Sequence, residues 1–160
     1  MIYYFAFGFV SFFSMLPFRV LYVLSDIVYP IIYHLIGYRK KVVRDNLKWS
    51  FPDKTEKERR VIEKKFYRHF CDLIFESLKF ARISESEIKK RMMYTGFEPA
   101  LKHYDEGRCV MLYSSHYGSW EWNSSFSLYL PEDKPIYPIY KKQKNELSDR
   151  IIYKIRNRFG

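Results

Sequence analysis

The chain has 160 residues, and its 28 lysines and arginines against 18 acidic residues give a formal net charge of +10. This length excludes a multidomain protein and allows one modest α/β domain or a fragment of a larger one. Apolar residues make up 48% of the chain and charged residues 29%, so a disordered or low-complexity chain is not expected.

The excess of positive charge predicts an anionic partner, and composition alone leaves nucleic acid, anionic lipid headgroups and an acidic carrier protein open. Aromatic residues reach 20%, which is more than a core of this size needs and is typical of membrane interfaces. Cys71 and Cys109 have no CxxC or histidine partner nearby. We therefore expect two unpaired thiols and neither a disulfide framework nor a zinc site.

Residues 1–18 carry no charged side chain, and the apolar pattern resumes after Arg19 and continues past Asp26. The segment 1–38 is therefore predicted to be helical and membrane-associated. It forms either one tilted or kinked transmembrane helix or two shorter helices lying partly in the interface. A signal peptide is disfavoured because no basic stretch precedes the apolar run and no cleavage site follows it. A buried hairpin of a soluble protein is the alternative.

A cluster of five cations follows directly, offset by Asp45 alone. The positive-inside rule then predicts that residues 39–160 lie in the cytoplasm, and the same cluster would attract anionic membrane lipids. Its members are Arg39, Lys40, Lys41, Arg44 and Lys48.

The middle of the chain carries three helix signals. Thr55-Glu56-Lys57-Glu58 has the form of a capping box, which predicts the start of a long helix whose apolar stripe extends to Ala81. A second, short helix is predicted to begin after Ser84 and to run through Arg91, and a third to span 98–106 before Gly107.

Three apolar segments of strand length, 92–97, 109–113 and 135–140, alternate with these helices and with an amphipathic pattern over 142–159. This alternation predicts an α/β fold for residues 39–160, with a partial mixed sheet flanked by helices. The continuous apolar run at 109–113 is typical of a strand covered on both faces.

Polar residues follow the predicted strand 109–113, at the edge where open α/β sheets place their sites. His116 has an unperturbed pKa near neutrality and could accept a proton from an alcohol, with Glu121 holding the ring. Five helical residues separate side chains by roughly 140°, so this contact requires His116 to precede the helix. Gly118 makes such a bend possible. Taken alone, this spacing is common and does not identify an enzyme.

The run His116-Tyr117-Gly118-Ser119-Trp120-Glu121 resembles the HxGxWE form of the HxxxxD/E motif in the lysophospholipid acyltransferase superfamily, specifically its bacterial lipid A biosynthesis (late, or secondary) acyltransferase branch. Other segments agree with the branch in order, over nearly the whole chain. They are Val42-Val43, Asn46-Leu47, Phe51-Pro52, Gly96-Phe97-Glu98, Gly107-Arg108, Tyr140-Lys141, Asn145, Asp149-Arg150 and Arg156-x-Arg158-x-Gly160.

This resemblance implies an enzyme of the bacterial inner membrane, with its catalytic part facing the cytoplasm. It would transfer a fatty acyl group from acyl carrier protein or coenzyme A to a hydroxyl of a lipid A precursor. His116 would be the general base, and Glu121 would orient it and stabilise its charge, without a covalent acyl-enzyme. The remaining residues expected to contact substrate are Gly118, Trp120, Lys141 and Arg150.

The resemblance also implies no metal and no bound cofactor, because the acyl-carrier or coenzyme A thioester is a co-substrate. The expected partners are acyl carrier protein, the lipid A precursor glycolipid and anionic membrane lipids, and no nucleic acid.

The family's chains continue beyond this point, so we expect a glycerolipid acyltransferase-like fold whose C-terminal part is missing. Two alternatives stay open. One is a truncated, catalytically inactive membrane-associated fragment, and the other is a basic nucleic-acid-binding protein, for which no recognition motif is present.

Overall fold

The computed structural model describes residues 2–131 and 133–159, and helices are the regular elements in these two ranges. A π-helical segment, Ile31–Ile36, continues α2, and 3₁₀ segments cover Trp120–Tyr129 and Asn157–Phe159. The α-helices are α1 (Ile2–Met15), α2 (Phe18–Pro30), α3 (Lys40–Ser50), α4 (Glu56–Phe80), α5 (Glu85–Arg91), α6 (Glu98–Asp105) and α7 (Glu146–Arg156).

The predicted mixed sheet is absent from the described residues, and the prediction of an α/β fold is therefore wrong for this structure. Segments 92–97, 109–113 and 135–140 are irregular chain without strand pairing. The run predicted to be covered on both faces is instead open, since the side chain of Tyr113 is 93% exposed and that of Met111 70%. A strand requires hydrogen bonds from a neighbouring strand, whereas a helix satisfies its own backbone locally.

The predicted helix starts are confirmed by their capping contacts. At the start of α4 the backbone N–H of Thr55 donates to the Glu58 carboxylate at 2.8 Å, and the Glu58 N–H donates to the Thr55 hydroxyl at 3.3 Å. At the start of α5 the Ser84 hydroxyl accepts a hydrogen bond from the N–H of Glu87 at 3.2 Å. Helix α6 ends just before Gly107, whose φ of +75° is a conformation that favours glycine.

Two helices occupy the apolar N-terminal segment. The chain leaves helical geometry at Pro17, whose ψ of 148° separates α1 from α2. Together α2 and its π-helical continuation, Phe18–Ile36, form a helix of 19 residues with a mean hydropathy of 1.4, long and apolar enough to cross a membrane. Helix α1 is shorter, with 14 residues.

The chain divides into two compact units, one comprising Met1–Met15 with Ser77–Gly160 and the other Leu16–Glu76. The proposed division into segments 1–38 and 39–160 concerns membrane attachment and stays a prediction. The two cysteines are unpaired as expected, with Cys71 buried and Cys109 exposed.

The core of the first unit fixes the segment that follows His116. Phe80 is fully buried, and its ring stacks on Trp122 at 6.1 Å and meets Phe159 edge to face at 5.4 Å between centroids. The Ser127 hydroxyl donates to the Phe159 carbonyl at 2.7 Å. These contacts hold the 3₁₀ segment Trp120–Tyr129 against Phe80 and against the 3₁₀ segment Asn157–Phe159 that follows α7.

Candidate functional site

His116 lies in irregular chain just before the 3₁₀ segment, and its side chain is exposed. Gly118, whose φ is +58°, forms the bend that separates His116 from this segment. A Cβ atom added at Gly118 would have no other atom within 4 Å. A residue with a Cβ would therefore be disfavoured there by its backbone conformation and not by crowding. His116 thus precedes the helical segment, as the predicted bend requires.

The imidazole of His116 packs against the indole of Trp120. Their ring centroids are 4.2 Å apart, and the ring planes are inclined by 51°. This contact covers one side of the histidine ring and restricts its rotation, while the exposed remainder stays accessible to a substrate.

Glu121 is bound by Arg156 of α7 in a two-pronged ion pair. Nε and Nη2 of Arg156 donate to the two carboxylate oxygens at 2.8 and 2.7 Å, and both side chains are largely shielded, with 17% of Arg156 and 21% of Glu121 exposed. The hydrogen bond to Glu121 raises the pKa of Arg156 above its ordinary value. Within the part of the chain that the structure describes, no hydrogen bond or ion pair joins Glu121 to His116.

Arg156 connects the glutamate to the histidine indirectly. Its guanidinium lies 5.0 Å from the centre of the Trp120 ring and 5.6 Å from that of Tyr140. The sequence of contacts is therefore His116 to Trp120, Trp120 to Arg156, and Arg156 to Glu121. A cation between two aromatic faces is well held even near solvent.

A second carboxylate anchors the chain that leads into α7. Asp149 is buried, and its Oδ1 accepts hydrogen bonds from the Tyr140 hydroxyl at 2.9 Å and from the Gln143 N–H at 2.7 Å. The bond from the Gln143 N–H, and after it the bond from Tyr140, hold the pKa of Asp149 below its ordinary value. This anchor positions Tyr140, and through it the face on which Arg156 lies.

The comparison with protein families identifies the family of the chain. A model of the family described as "Bacterial lipid A biosynthesis acyltransferase" matches residues 1–160. The chain belongs to this family. No curated protein and no solved structure matches the chain.

Lys141 and Arg150, the two cations that the family resemblance leads us to expect at the substrate, do not contact the group around His116 in the described residues. Lys141 is exposed, and Arg150 is exposed with its guanidinium 5.1 Å from the centre of the Tyr3 ring. In the described residues neither makes a hydrogen bond, ion pair or ring contact with Trp120 or Glu121. The structure brings together His116, Trp120 and Glu121, and leaves these two cations apart from them.

The contact between Arg156 and Glu121 is the feature of this candidate site that the sequence did not reveal. Arg156 is 35 residues from Glu121, and no local periodicity relates the two positions. In the sequence, Arg156 stands out only as part of the Arg156-x-Arg158 pattern. The one available signal was that a carboxylate beside two tryptophans needs a cationic partner when it is shielded from water.

Proposed function

We propose that this chain transfers a fatty acyl group from acyl carrier protein or coenzyme A to a hydroxyl of a lipid A precursor. The proposal rests on family membership, which implies an acyltransferase of lipid A biosynthesis. The single structural observation that carries it is the exposed imidazole of His116, packed on Trp120 at a glycine bend.

In the proposed reaction, His116 accepts the proton of the acceptor hydroxyl as its oxygen attacks the carbonyl carbon of the acyl thioester. The tetrahedral intermediate collapses by breaking the carbon–sulfur bond. The departing thiolate then takes the proton from the imidazolium, so the products are an ester and a free thiol. No metal or bound cofactor takes part, because the acyl group arrives already activated as a thioester.

We assign Glu121 and Arg156 to the support of this histidine. The charged pair fixes Trp120, and Trp120 in turn limits the rotation of the His116 ring. The pair is proposed to position the ring, because the Glu121 charge is already balanced by Arg156 and no hydrogen bond joins Glu121 to His116 within the described residues. Nη1 of Arg156 makes no hydrogen bond within the described residues and is a donor for the negative oxygen of the intermediate.

The proposed location is the cytoplasmic face of the bacterial inner membrane. The family is generally membrane-associated, and Phe18–Ile36 is long and apolar enough to span a bilayer. The basic cluster that begins at Arg39 follows this helix directly, which is the arrangement of the positive-inside rule. A basic cytoplasmic surface also suits an acidic carrier protein and a phosphorylated glycolipid.

The test is acyl transfer from labelled acyl carrier protein or acyl coenzyme A to a lipid A precursor, measured for the unsubstituted chain and for H116A. Loss of a general base is expected to lower the rate by about 10²- to 10⁴-fold. The matched control is H103A, because His103 is an exposed histidine on α6 whose nearest charged partner is Glu106. Undiminished transfer by H116A, or an equal loss in H103A, would contradict the proposed role.

A second set of variants addresses the supporting pair. E121Q removes the charge but keeps the shape, and it is expected to lower kcat by about tenfold to a hundredfold with little change in KM for the thioester. E98Q, an exposed glutamate in the first turn of α6, is the control. If E121Q changed KM alone, Glu121 would belong to binding and not to the support of His116.

One observation favours a second function, that of a membrane-associated chain without catalysis. Segments 109–113 and 135–140 lack strand pairing in the described residues, so the site has no sheet beneath it. The same assay distinguishes the two functions: equal background transfer by the unsubstituted chain and by H116A, with membrane binding intact in both, would support the second.

A further inference from the structure

A cleft lies in the same compact unit as His116, outside the residues assigned to acyl transfer. Its volume is about 390 Å³, which is the size of a site for a small organic molecule and more than a single phosphate group fills. One half of its lining is apolar and the other half is cationic. The lining residues are Phe7, Ala81, Arg82, Lys154, Ile155 and Arg158.

Three of the described lining residues are cations, and none of the described lining residues is acidic. Within the described residues none of Arg82, Lys154 and Arg158 forms a salt bridge with a carboxylate. Arg158 donates a hydrogen bond to the Phe80 carbonyl at 2.9 Å. Burial of Arg158, together with the charge of Arg82, holds the pKa of Arg158 below its ordinary value. Glu85 acts on Arg158 in the opposite sense, but it makes no ion pair with it. An anion beside Arg82 and Arg158 would relieve the repulsion between these two cations.

The apolar half of the cleft is continuous with α1. Nζ of Lys154 lies 4.0 Å from the centre of the Phe7 ring, and Phe7 is stacked on Tyr3 at 6.0 Å. Helix α1 has no charged residue, and large side chains such as Phe5 and Phe9 are 75% and 60% exposed. A ligand in the cleft would therefore meet both cationic groups and the apolar surface of Phe7, which lie side by side.

We propose that this cleft binds the phosphate group of an anionic amphiphile, with Arg82, Lys154 and Arg158 around the phosphate and the first apolar segment of the ligand along Phe7 and Ile155. Arginine and lysine side chains are the usual partners of phosphate. The apolar wall selects a phosphorylated lipid over free phosphate. The site is separate from the proposed acyl transfer and does not require His116.

The experiment titrates the 160-residue chain in non-ionic detergent with three probes by calorimetry, subtracting blank micelles. The probes are dihexanoyl phosphatidic acid, dihexanoylglycerol and inorganic phosphate. We expect phosphatidic acid to bind at least about tenfold more tightly than inorganic phosphate, since only it uses the apolar wall. Dihexanoylglycerol, which has the same chains without the phosphate, is expected to show no specific heat.

Variants with matched charge identify the site. R82Q/K154Q is expected to weaken phosphatidic acid binding by about tenfold or more, because two cationic donors are lost. K90Q/K102Q removes the same net charge from exposed positions on α5 and α6 and is expected to change affinity by less than about twofold. R82K/K154R keeps the charges and is expected to retain binding, which excludes a folding defect at these positions.

Three results would overturn the proposal: binding of phosphatidic acid no tighter than that of dihexanoylglycerol, equal losses in the two double glutamine variants, or inorganic phosphate binding as tightly as the lipid. H116A is expected to bind phosphatidic acid unchanged. The two proposals are distinguished by their variants. H116A would lose acyl transfer and keep phosphatidic acid binding, whereas R82Q/K154Q would lose phosphatidic acid binding and keep acyl transfer.

Discussion

Glu63 is a carboxylate on α4 whose side chain is only 1% exposed, and its partner comes from a different helix. Nε of Arg44 on α3 donates to both carboxylate oxygens, at 3.2 and 3.0 Å, and Nη2 donates to one of them at 3.2 Å. The hydrogen bond to Glu63 raises the pKa of Arg44. A buried charge without such a partner is strongly unfavourable, so this pair fixes α3 against α4 within the unit Leu16–Glu76.

Replacement of Arg44 tests this interpretation. R44M removes the only cation that contacts the buried Glu63 carboxylate in the described residues. Because Arg44 itself is 45% exposed, the loss in the free energy of unfolding is expected to be about 1 to 3 kcal/mol, below that of a fully buried pair. The double variant R44M/E63M removes both charges and is expected to recover most of this loss. Chemical unfolding followed by circular dichroism gives both values.

The control is R60M, which breaks an exposed pair with Glu56 one turn away on α4. Pairs of this kind contribute at most about 0.5 kcal/mol. Equal destabilisation by R44M and R60M, or a double variant as unstable as R44M, would contradict the importance assigned to burial.

At the level of single residues, the sequence predicts contacts between neighbours in the chain but not contacts made by packing between distant elements. The motif containing His116 and Glu121 was visible because its members are close in the chain. The partner of Glu121 was not, since the contact with Arg156 depends on the packing of α7 against the 3₁₀ segment. Arg44 was likewise identified as one cation in a basic cluster, and nothing in its surroundings in the sequence indicated Glu63.

At the level of elements, local signals were sufficient for helices and insufficient for strands. Thr55 and Ser84 mark the starts of α4 and α5 because a cap satisfies backbone groups within three residues. A strand at 109–113 depends on partners elsewhere in the chain, and apolar composition alone does not supply them. The error in the predicted fold class therefore lies entirely in the segments between the helices.

The start of α7 illustrates an element held by one carboxylate. The Asn145 side chain accepts a hydrogen bond from the Ser148 N–H at 2.9 Å and caps the helix. Asp149, in the first turn, accepts from Tyr140 and Gln143 and ties the preceding chain to the helix. A negative charge in the first turn is also favourable with respect to the helix dipole.

This arrangement predicts a dependence of stability on pH. The pKa of Asp149 is depressed in the folded chain, so the stabilisation is present above its ordinary value of 3.8 and is lost as the pH falls through the lower folded value. D149N keeps the shape but cannot ionise. We expect D149N to be less stable than the unsubstituted chain at neutral pH, with the difference shrinking below the ordinary pKa, as measured by thermal unfolding at a series of pH values.

A matched comparison is D105N, since Asp105 ends α6 and its carboxylate is exposed and paired with Lys134. The Asp105 carboxylate is 60% exposed and therefore well solvated, so D105N is expected to show a much smaller difference across the same pH range. A stability difference for D149N that stays constant with pH would mean that the Asp149 charge has no part in holding α7.

On the scale of the whole molecule, charge and hydropathy are distributed unevenly along the chain. Residues 1–18 contain no charged side chain, whereas the net charge of the 160 residues is +10. Composition predicts an anionic partner, which stays a prediction, and it could not indicate where on the chain such a partner would bind. The cationic cleft is formed by residues from three separated stretches of sequence, which only the folded structure brings together.

The distribution of charge leads to a prediction about membrane binding. Lys41 and Lys48 lie exposed on α3, directly after the helix that is long enough to span a bilayer. A lysine near an anionic surface contributes about 1 kcal/mol, so K41Q/K48Q is expected to weaken binding to phosphatidylglycerol vesicles by about thirtyfold at low salt. Sedimentation of the chain with vesicles measures the partition coefficient.

The dependence on salt and lipid separates this effect from a general loss of charge. K90Q/K102Q has the same net charge as K41Q/K48Q and is expected to lose less than about threefold, because those lysines lie far along the chain from the apolar segment. The difference should shrink as ionic strength rises to about 0.5 M, where the Debye length falls to roughly 4 Å, and it should be absent with phosphatidylcholine vesicles. Equal losses in the two variants would mean that α3 does not face the lipid surface, since net charge alone would then govern binding.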